Sequence, residues 1–247
     1  IDHVSWHWGF IGIAFLAFLS WFGLKAKMPE SQVSIRKQPL SHILYDFKQV
    51  YKNKRFLGMT LALPMVSMPL MLWIALSPVM LVEELGFSSM QYGLAQFPVL
   101  GGLILGNIVL IKIIDKLALG QSVLIGLPIM LLGSLVLVAG VIWQDYLIWC
   151  LIAGMTLLSF GEGISFSVLY RFALMSSEVS KGTVAAAVSM LLMFSFFFII
   201  ELVRVLYEQF HLIGYSVSCL VLIALWFTFP RAILKQVLQE RKQSGVF

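Results

Sequence analysis

The sequence predicts an all-α integral membrane protein with seven transmembrane helices. Three observations carry that reading. Of 247 residues, 60% are apolar and only 12% are charged, with a mean hydropathy of +0.94. A soluble fold has too little interior for that much apolar surface, because even a domain of about 300 residues buries only about 75% of its chain. The apolar residues fall into seven runs, each near the length of about 20 residues that a helix needs to cross a bilayer. Sixteen of the seventeen Lys and Arg fall on alternate connections between those runs.

The runs lie at 7–24, 57–82, 92–114, 119–143, 146–172, 183–206 and 212–230. Stretches such as Thr183–Met190 and Leu131–Val138 lack the apolar–polar alternation of barrel strands, so the spans are helices. A loop from Lys25 to Arg55 separates the first two. It carries Lys25, Lys27, Arg36, Lys37, Lys48, Lys52, Lys54 and Arg55. Lys112 and Lys116 follow the third span, Arg171 and Lys181 the fifth, and Arg231, Lys235, Arg241 and Lys242 the seventh. The opposite connections hold Arg204 beside Asp2, Glu83, Glu84, Asp145 and Glu208. Cytoplasmic loops carry the excess of Lys and Arg, so the long loop and the C-terminus are expected inside and the N-terminus outside. The net charge of +5 is thus a topology signal and not a nucleic-acid footprint. Residues 1–9 show neither a basic leader nor a cleavage site. An external N-terminus without a signal implies earlier helices, so the chain is expected to be the later part of a longer protein.

Trp6, Trp8, Trp143, Tyr146, Trp149, Trp21 and Trp226 fall near span ends, where aromatic belts form. Cys150 and Cys219 sit in apolar runs and are expected to be packing residues. His3, His7, His42 and His211 make no ligand spacing, and no hydrolase, metalloprotease or nucleotide-binding motif appears. No metal, cofactor or enzymatic activity is implied.

Glu162 lies about 24 Å along the fifth span from Tyr146, near the middle of the hydrocarbon. An acid there costs about 2.5–3.5 kcal/mol and usually faces a cavity or a partner. Burial disfavours its charged form, which suits a group that takes and releases protons. The competing reading is a neutral acid hydrogen-bonded to a neighbouring helix. Glu201, Arg204 and Glu208 share one face of the sixth span, either as an interfacial ion-pair stripe or as an outer gate. Pro64, Pro69 and Pro78 in the second span, with Pro98, Gly101, Gly102 and Gly106 in the third, suggest bent helices around a central path. Gly102 and Gly106 form a small-residue packing pair. Trp73 and the Phe194, Phe196, Phe197, Phe198 cluster, with nearby Met residues, offer either a pliable apolar pocket or ordinary packing.

Trp6-His7-Trp8-Gly9-Phe10 and Met28-Pro29-Glu30 resemble the start and end of the sixth helix of a major facilitator superfamily drug exporter, and Asp115-Lys116 resembles a decayed copy of its loop motif. The strings from Val66 to Pro78, Gln91 to Leu94 and Ser180 to Val184 are similar to the MdfA/CraA-like multidrug:proton antiporters. The resemblance runs over nearly the whole chain. It implies helices six to twelve of a twelve-helix fold: the last helix of the N-terminal bundle at 1–24, a cytoplasmic loop at 25–55, a C-terminal six-helix bundle at 56–231 and a tail at 232–247. It places Leu70, Met71 and Ile74 on helix seven, and Ser189, Met193 and Phe196 on helix eleven, in a drug cavity between the bundles. Arg171 matches a basic residue at the inner end of helix ten. The family's main proton-binding acids on helix one and its gating motif on helix five have no counterpart here, and an apolar residue usually stands where Glu162 does. The function expected from the resemblance is export of lipophilic drugs, phenicol-type and cationic, in exchange for protons across the bacterial inner membrane. The implied partners are those drugs, protons, membrane lipid and the missing N-terminal bundle. A nutrient symporter or uniporter of the same fold, or a non-transporting membrane subunit, are the alternatives.

Overall fold

The computed structural model describes residues 7–27, 39–117 and 120–244, with side-chain surroundings through residue 227. The expectations on His3, Trp6, Met28-Pro29-Glu30, Arg36 and Lys37, and on the side chains of Arg231, Lys235, Arg241 and Lys242, fall outside the described residues.

The chain divides into two units, Ile1–His42 and Ile43–Phe247. In the first, α1 (His7–Lys27) is apolar all round and buries none of its residues. Its C-terminal turn is organised by aromatic contacts among Phe18, Trp21 and Phe22, with the Lys25 ammonium 5.2 Å from the centre of the Trp21 ring. Trp21 behaves as an interface residue should, presenting an apolar body beside a charged partner.

The second unit is an all-helical bundle. Helix α2 (Leu40–Lys52) crosses the boundary between the units, so the 25–55 stretch expected as loop contains a helix. It is amphipathic, and it packs through Val50, Phe47 and Tyr51. Asn53 ends it and starts α3 (Lys54–Ser77). The Asn53 side chain accepts from the Arg55 and Phe56 amides and donates to the Ser176 carbonyl at 2.9 Å. One side chain therefore caps α3 and ties it to the connection before α7.

Helix α3 holds Pro64 and Pro69 and widens at Pro78 into a π turn, Pro78–Glu84. There the Leu85 amide reaches back to Met80 and the Phe87 amide to Leu81. The widening follows from proline's missing donor and its clash with the turn before it. Helix α4 (Ser89–Ile113) starts in a capping box formed by Ser88 and Gln91. It is followed by α5 (Gln121–Ile142) and α6 (Leu147–Leu174).

Glycines set the spacing of α4, α5 and α6. A Cβ on Gly106 would sit 2.3 Å from the Phe160 carbonyl oxygen, and one on Gly163 would sit 2.5 Å from that of Leu103. The small-residue pair expected at Gly102 and Gly106 is thus the face on which α4 meets α6. Gly126 and Gly133 of α5 meet Gly161 and Gly154 of α6 in the same way. Without a hydrophobic drive in lipid, such close backbone approach is how membrane helices hold together.

Helix α7 (Lys181–Ser244) is two crossings joined at His211, where φ is 50° and ψ is −138°. The chain doubles back there, because a Cβ on Gly214 would lie 2.5 Å from the Leu206 carbonyl oxygen. The structure has six helices long and apolar enough to span a membrane among the described residues. Counting the broken α7 as 181–210 and 212–244 gives the seven crossings that the sequence predicts. The backbone remains helical through Ser244, so 232–244, expected as tail, continues the last helix.

Trp226, expected in an aromatic belt, is instead fully buried, whereas Trp8, Trp143, Tyr146 and Trp149 are exposed as a belt requires. Cys150 and Cys219 are free thiols, the second buried beside Tyr215. Lys54, Arg55, Lys112, Lys116, Arg171 and Lys181 gather at one end of the bundle, and Glu83, Glu84, Asp145 and Glu208 at the other. These are the basic and the acidic ends.

Candidate functional site

Helices α3 and α7 run side by side in the same direction. At the basic end the Tyr51 hydroxyl reaches the Ala187 carbonyl at 3.5 Å. At the acidic end the Tyr207 hydroxyl donates to the Glu84 carboxylate. Between these ties each helix keeps one unburied flank. On α3 it runs through Met71, half-buried, and Ile74, 53% exposed, to Ala75 and Val79. On α7, Ser189, Met193 and Phe196 follow at i, i+4 and i+7, so they share a flank. Ser189 and Met193 are exposed, and Phe196 is half-buried against the core.

Two residues expected on this surface lie behind it. Leu70 is buried, and Trp73 is fully buried with its indole N–H donating to Gln96 at 2.7 Å. Gln96 continues to Ser77 at 3.4 Å, and Ser77 to the Tyr92 hydroxyl at 3.3 Å. Trp73 is costly to bury without a partner for its N–H, and this chain supplies one while joining α3 to α4. In this conformation its ring is enclosed by protein. Phe194, Phe197 and Phe198 point away from the bundle, so the aromatic cluster does not converge on one pocket.

Toward the acidic end the α3 flank opens into a hollow of about 530 Å³. Its apolar wall is Ala75, Leu76 and Val79. Its polar wall combines Glu83, Glu84 and Glu208 with Arg204, Tyr207 and His211. Arg204 forks onto Glu201, with Nη2 to Oε1 at 2.6 Å and Nε to Oε2 at 3.1 Å, and pairs with Glu208 through Nη1. All three residues are exposed, and an exposed pair adds little stability. His211 Nδ1 stands 3.4 Å from Glu84. Sequence reasoning missed Glu84, Tyr207 and His211 as one cluster, because Glu84 is 123 residues from Tyr207 and His211 looked like a loop residue.

Glu162 is 6% exposed, inside the bundle and away from lipid. Its neighbours fix its direction: Gly161 and Ser165 face α5, and Phe160 and Gly163 face α4. Glu162 lies between those faces, on the side of α6 turned inward, where α3 packs. No hydrogen bond or ion pair to it is found among the described residues, and neither the acidic-end hollow nor a second, smaller one is lined by it. As a contact for a bulky ligand it is therefore enclosed in this conformation.

Arg171 is exposed at the basic end, where it borders a cavity of about 40 Å³ with Ser122, Val168 and Phe172. Among the described residues no group of three or more His, Cys, Asp or Glu is placed to hold a metal ion.

The model of the Major Facilitator Superfamily matches residues 1–200. The chain is 70% identical over 241 residues to the chloramphenicol resistance protein CraA of Acinetobacter baumannii, a match covering 98% of this chain and 58% of that protein. It is 37% identical to the multidrug transporter MdfA of Yersinia pestis, over 83% of this chain and 51% of that protein. The same identity holds to MdfA of Escherichia coli, over 79% of this chain and 48% of that protein. The chain thus spans roughly half the length of these relatives. A family match over most of the chain, on a bundle of paired and kinked membrane helices, shows that this protein belongs to the major facilitator superfamily.

Proposed function

We propose that this chain forms the C-terminal six-helix bundle, with the preceding helix, of a drug:proton antiporter that exports lipophilic drugs, phenicol-type and cationic, by alternating access. The observation that carries the reading is the unburied α3–α7 flank. Met71, Ile74, Met193 and Phe196 make it apolar and adaptable, with Ser189 as a polar contact. Leu70 and Trp73 hold it rigid from behind. Methionine-rich surfaces repack around unlike ligands. The relatives' names, one of chloramphenicol resistance and the others of multidrug transport, support ligands of that kind.

In this reading the basic end faces the cytoplasm of a bacterial inner membrane, an orientation that the excess of Lys and Arg there supports. The α3–α7 flank forms half of a midplane site against a second bundle, and rocking of one bundle on the other exposes it alternately to each side. Glu162 is the proton-coupling acid. Carboxylate and carboxyl forms favour differently packed states of α6 against α3, and drug favours one of them, which couples the two by differential affinity. Glu201 and Arg204 at the acidic end, and Arg171 at the basic end, act as gates.

The test is drug efflux by the full-length transporter with Glu162→Gln. Efflux should become insensitive to the proton gradient and fall for at least one drug class. Unchanged, gradient-driven efflux of every substrate across the pH range would remove Glu162 from the mechanism.

A further inference from the structure

The buried and half-buried hydroxyls of the bundle include two contrasting sets. Ser67, Ser134, Thr156 and Ser218 each donate to a carbonyl three or four residues back, at 2.6 to 3.1 Å. That is the usual resort of a hydroxyl in an apolar helix. Ser122, Ser159 and Ser165 do not. Their oxygens are enclosed and meet no partner. Leaving a buried hydroxyl unpaired costs about 1–3 kcal/mol, and internal water is the ordinary remedy.

The positions of these three serines relate to Glu162. Ser159 and Ser165 stand three residues before and after it on α6, so both adjoin its side chain. Ser165 lies against α5 at Gly126, where a Cβ would be 2.1 Å from the Ser165 oxygen. Ser122 is one helical turn from Gly126 on α5, toward the basic end. Ser122 also borders the cavity of about 40 Å³ that Arg171 flanks. A water molecule needs about 10–15 Å³ of such space and two or more polar partners. The cavity has that room and Ser122 borders it, while the hydroxyl oxygens of Ser122 and Ser165 are enclosed in this packing, so water reaches them only when the α5–α6 seam loosens. Thr60 and Ser216 also lack partners, but they belong to α3 and α7 and not to the α5–α6 seam.

We propose that the α5–α6 seam is a proton path, running from the basic-end cavity through Ser122 and Ser165 to Glu162 on internal water. The proposal rests on reading Glu162 as the proton-coupling acid. When the seam loosens, a proton entering at the cavity passes to a water that Ser122 then holds. Each hydroxyl on the way accepts one proton on a lone pair and releases its own onward, so the serines are unchanged. The last transfer forms the O–H bond of the Glu162 carboxyl, and the reverse sequence returns the proton. Glu162 is the one charged side chain among the buried described residues, so α3, α4, α5 and α7 bring no countercharge to it; the buried titratable groups of α7 are Tyr215, whose hydroxyl donates to Met155 on α6, and Cys219 beside it. Arg171, at the cavity wall, is the charge at the entrance.

The experiment is infrared spectroscopy of the purified full-length transporter in lipid nanodiscs after a rapid pH jump. The carboxylic-acid band is assigned to Glu162 by its loss in Glu162→Gln. Ser165→Ala and Ser122→Val should each slow the appearance of that band by about tenfold or more, equivalent to a barrier higher by about 1.4 kcal/mol, while leaving its titration midpoint in place. Ser159→Ala, on the far side of Glu162, should leave the rate unchanged. Ser122→Ala replaces Ser122→Val if the larger side chain lowers the melting temperature. A band that forms at the wild-type rate in both path variants overturns the path and leaves the role of Glu162 standing. A protein with no titrating Glu162 band at any pH overturns both.

Discussion

The Tyr207 hydroxyl donates to the Glu84 carboxylate, joining the acidic end of α7 to the π turn that ends α3. The contact closes one side of the hollow between these helices, and His211 approaches the same carboxylate. A hydrogen bond to a charged acceptor contributes about 1.5–3 kcal/mol. Removing it alone, by Tyr207→Phe, should let the acidic ends separate more often. A cysteine placed at Val79, with Cys150 and Cys219 replaced, should then react several-fold faster with a water-soluble maleimide. An unchanged rate would show that the tie does not hold the hollow closed.

The glycine contacts between α4 and α6 predict a sharp positional contrast. Gly106→Ala forces a methyl into the Phe160 carbonyl, where the nearest atoms are backbone and cannot swing aside. Overpacking of that kind costs about 1–3 kcal/mol. Gly101, one turn nearer the acidic end, has nothing within 4 Å of where a Cβ would stand. Gly101→Ala should therefore be neutral or slightly stabilising, as for an open helical position. Melting temperatures in one detergent separate the two, and equal losses would mean that α4 packs otherwise.

Asn53 predicts a second stability effect of a different kind. Its side-chain oxygen caps α3, and its amide nitrogen binds Ser176 at 2.9 Å. Asn53→Asp keeps the cap and loses the donor, whereas Asn53→Ala loses both. Loss of the cap costs about 0.5–2 kcal/mol. The ordering of melting temperatures should be wild type, then Asp, then Ala. Equal values for Asp and Ala would assign the whole effect to Ser176.

The crossings were legible because their signal is composition over about 20 residues, which needs no tertiary information. The turn at His211 was legible as a polar break, although the residues on both sides of it are helical and only the backbone angles at His211 mark the reversal. The Gly102 and Gly106 face was legible too, since small residues one turn apart have few other uses in a membrane helix. The burial of Trp73 was not legible because depth along a span says nothing about azimuth: its partner, Gln96, lies on the next helix. For the same reason the sequence found Glu162 but not Ser122 and Ser165. Serine in a membrane helix is commonplace, and only the packed bundle shows which hydroxyls lack a carbonyl.

The placement of Trp73 behind Ile74 yields the prediction that most directly tests the α3–α7 flank. Ile74 is 53% exposed and Trp73 fully buried, although they are adjacent in the chain. Ile74→Ala removes a side chain that the described residues cover only in part, so the melting temperature should move little. If the flank contacts drug, resistance conferred by the full-length transporter should change unequally among drugs, by several-fold for the bulkiest. Trp73→Ala opens a cavity and takes the donor from Gln96 Oε1, a loss of about 3–5 kcal/mol by analogy with buried aromatic truncations. It should lower the amount of folded protein and reduce resistance to all drugs together. Measuring resistance profiles beside melting temperatures distinguishes the two patterns. A uniform, stability-linked loss in Ile74→Ala would mean that its exposed side is covered by protein in the full transporter and not offered to substrate.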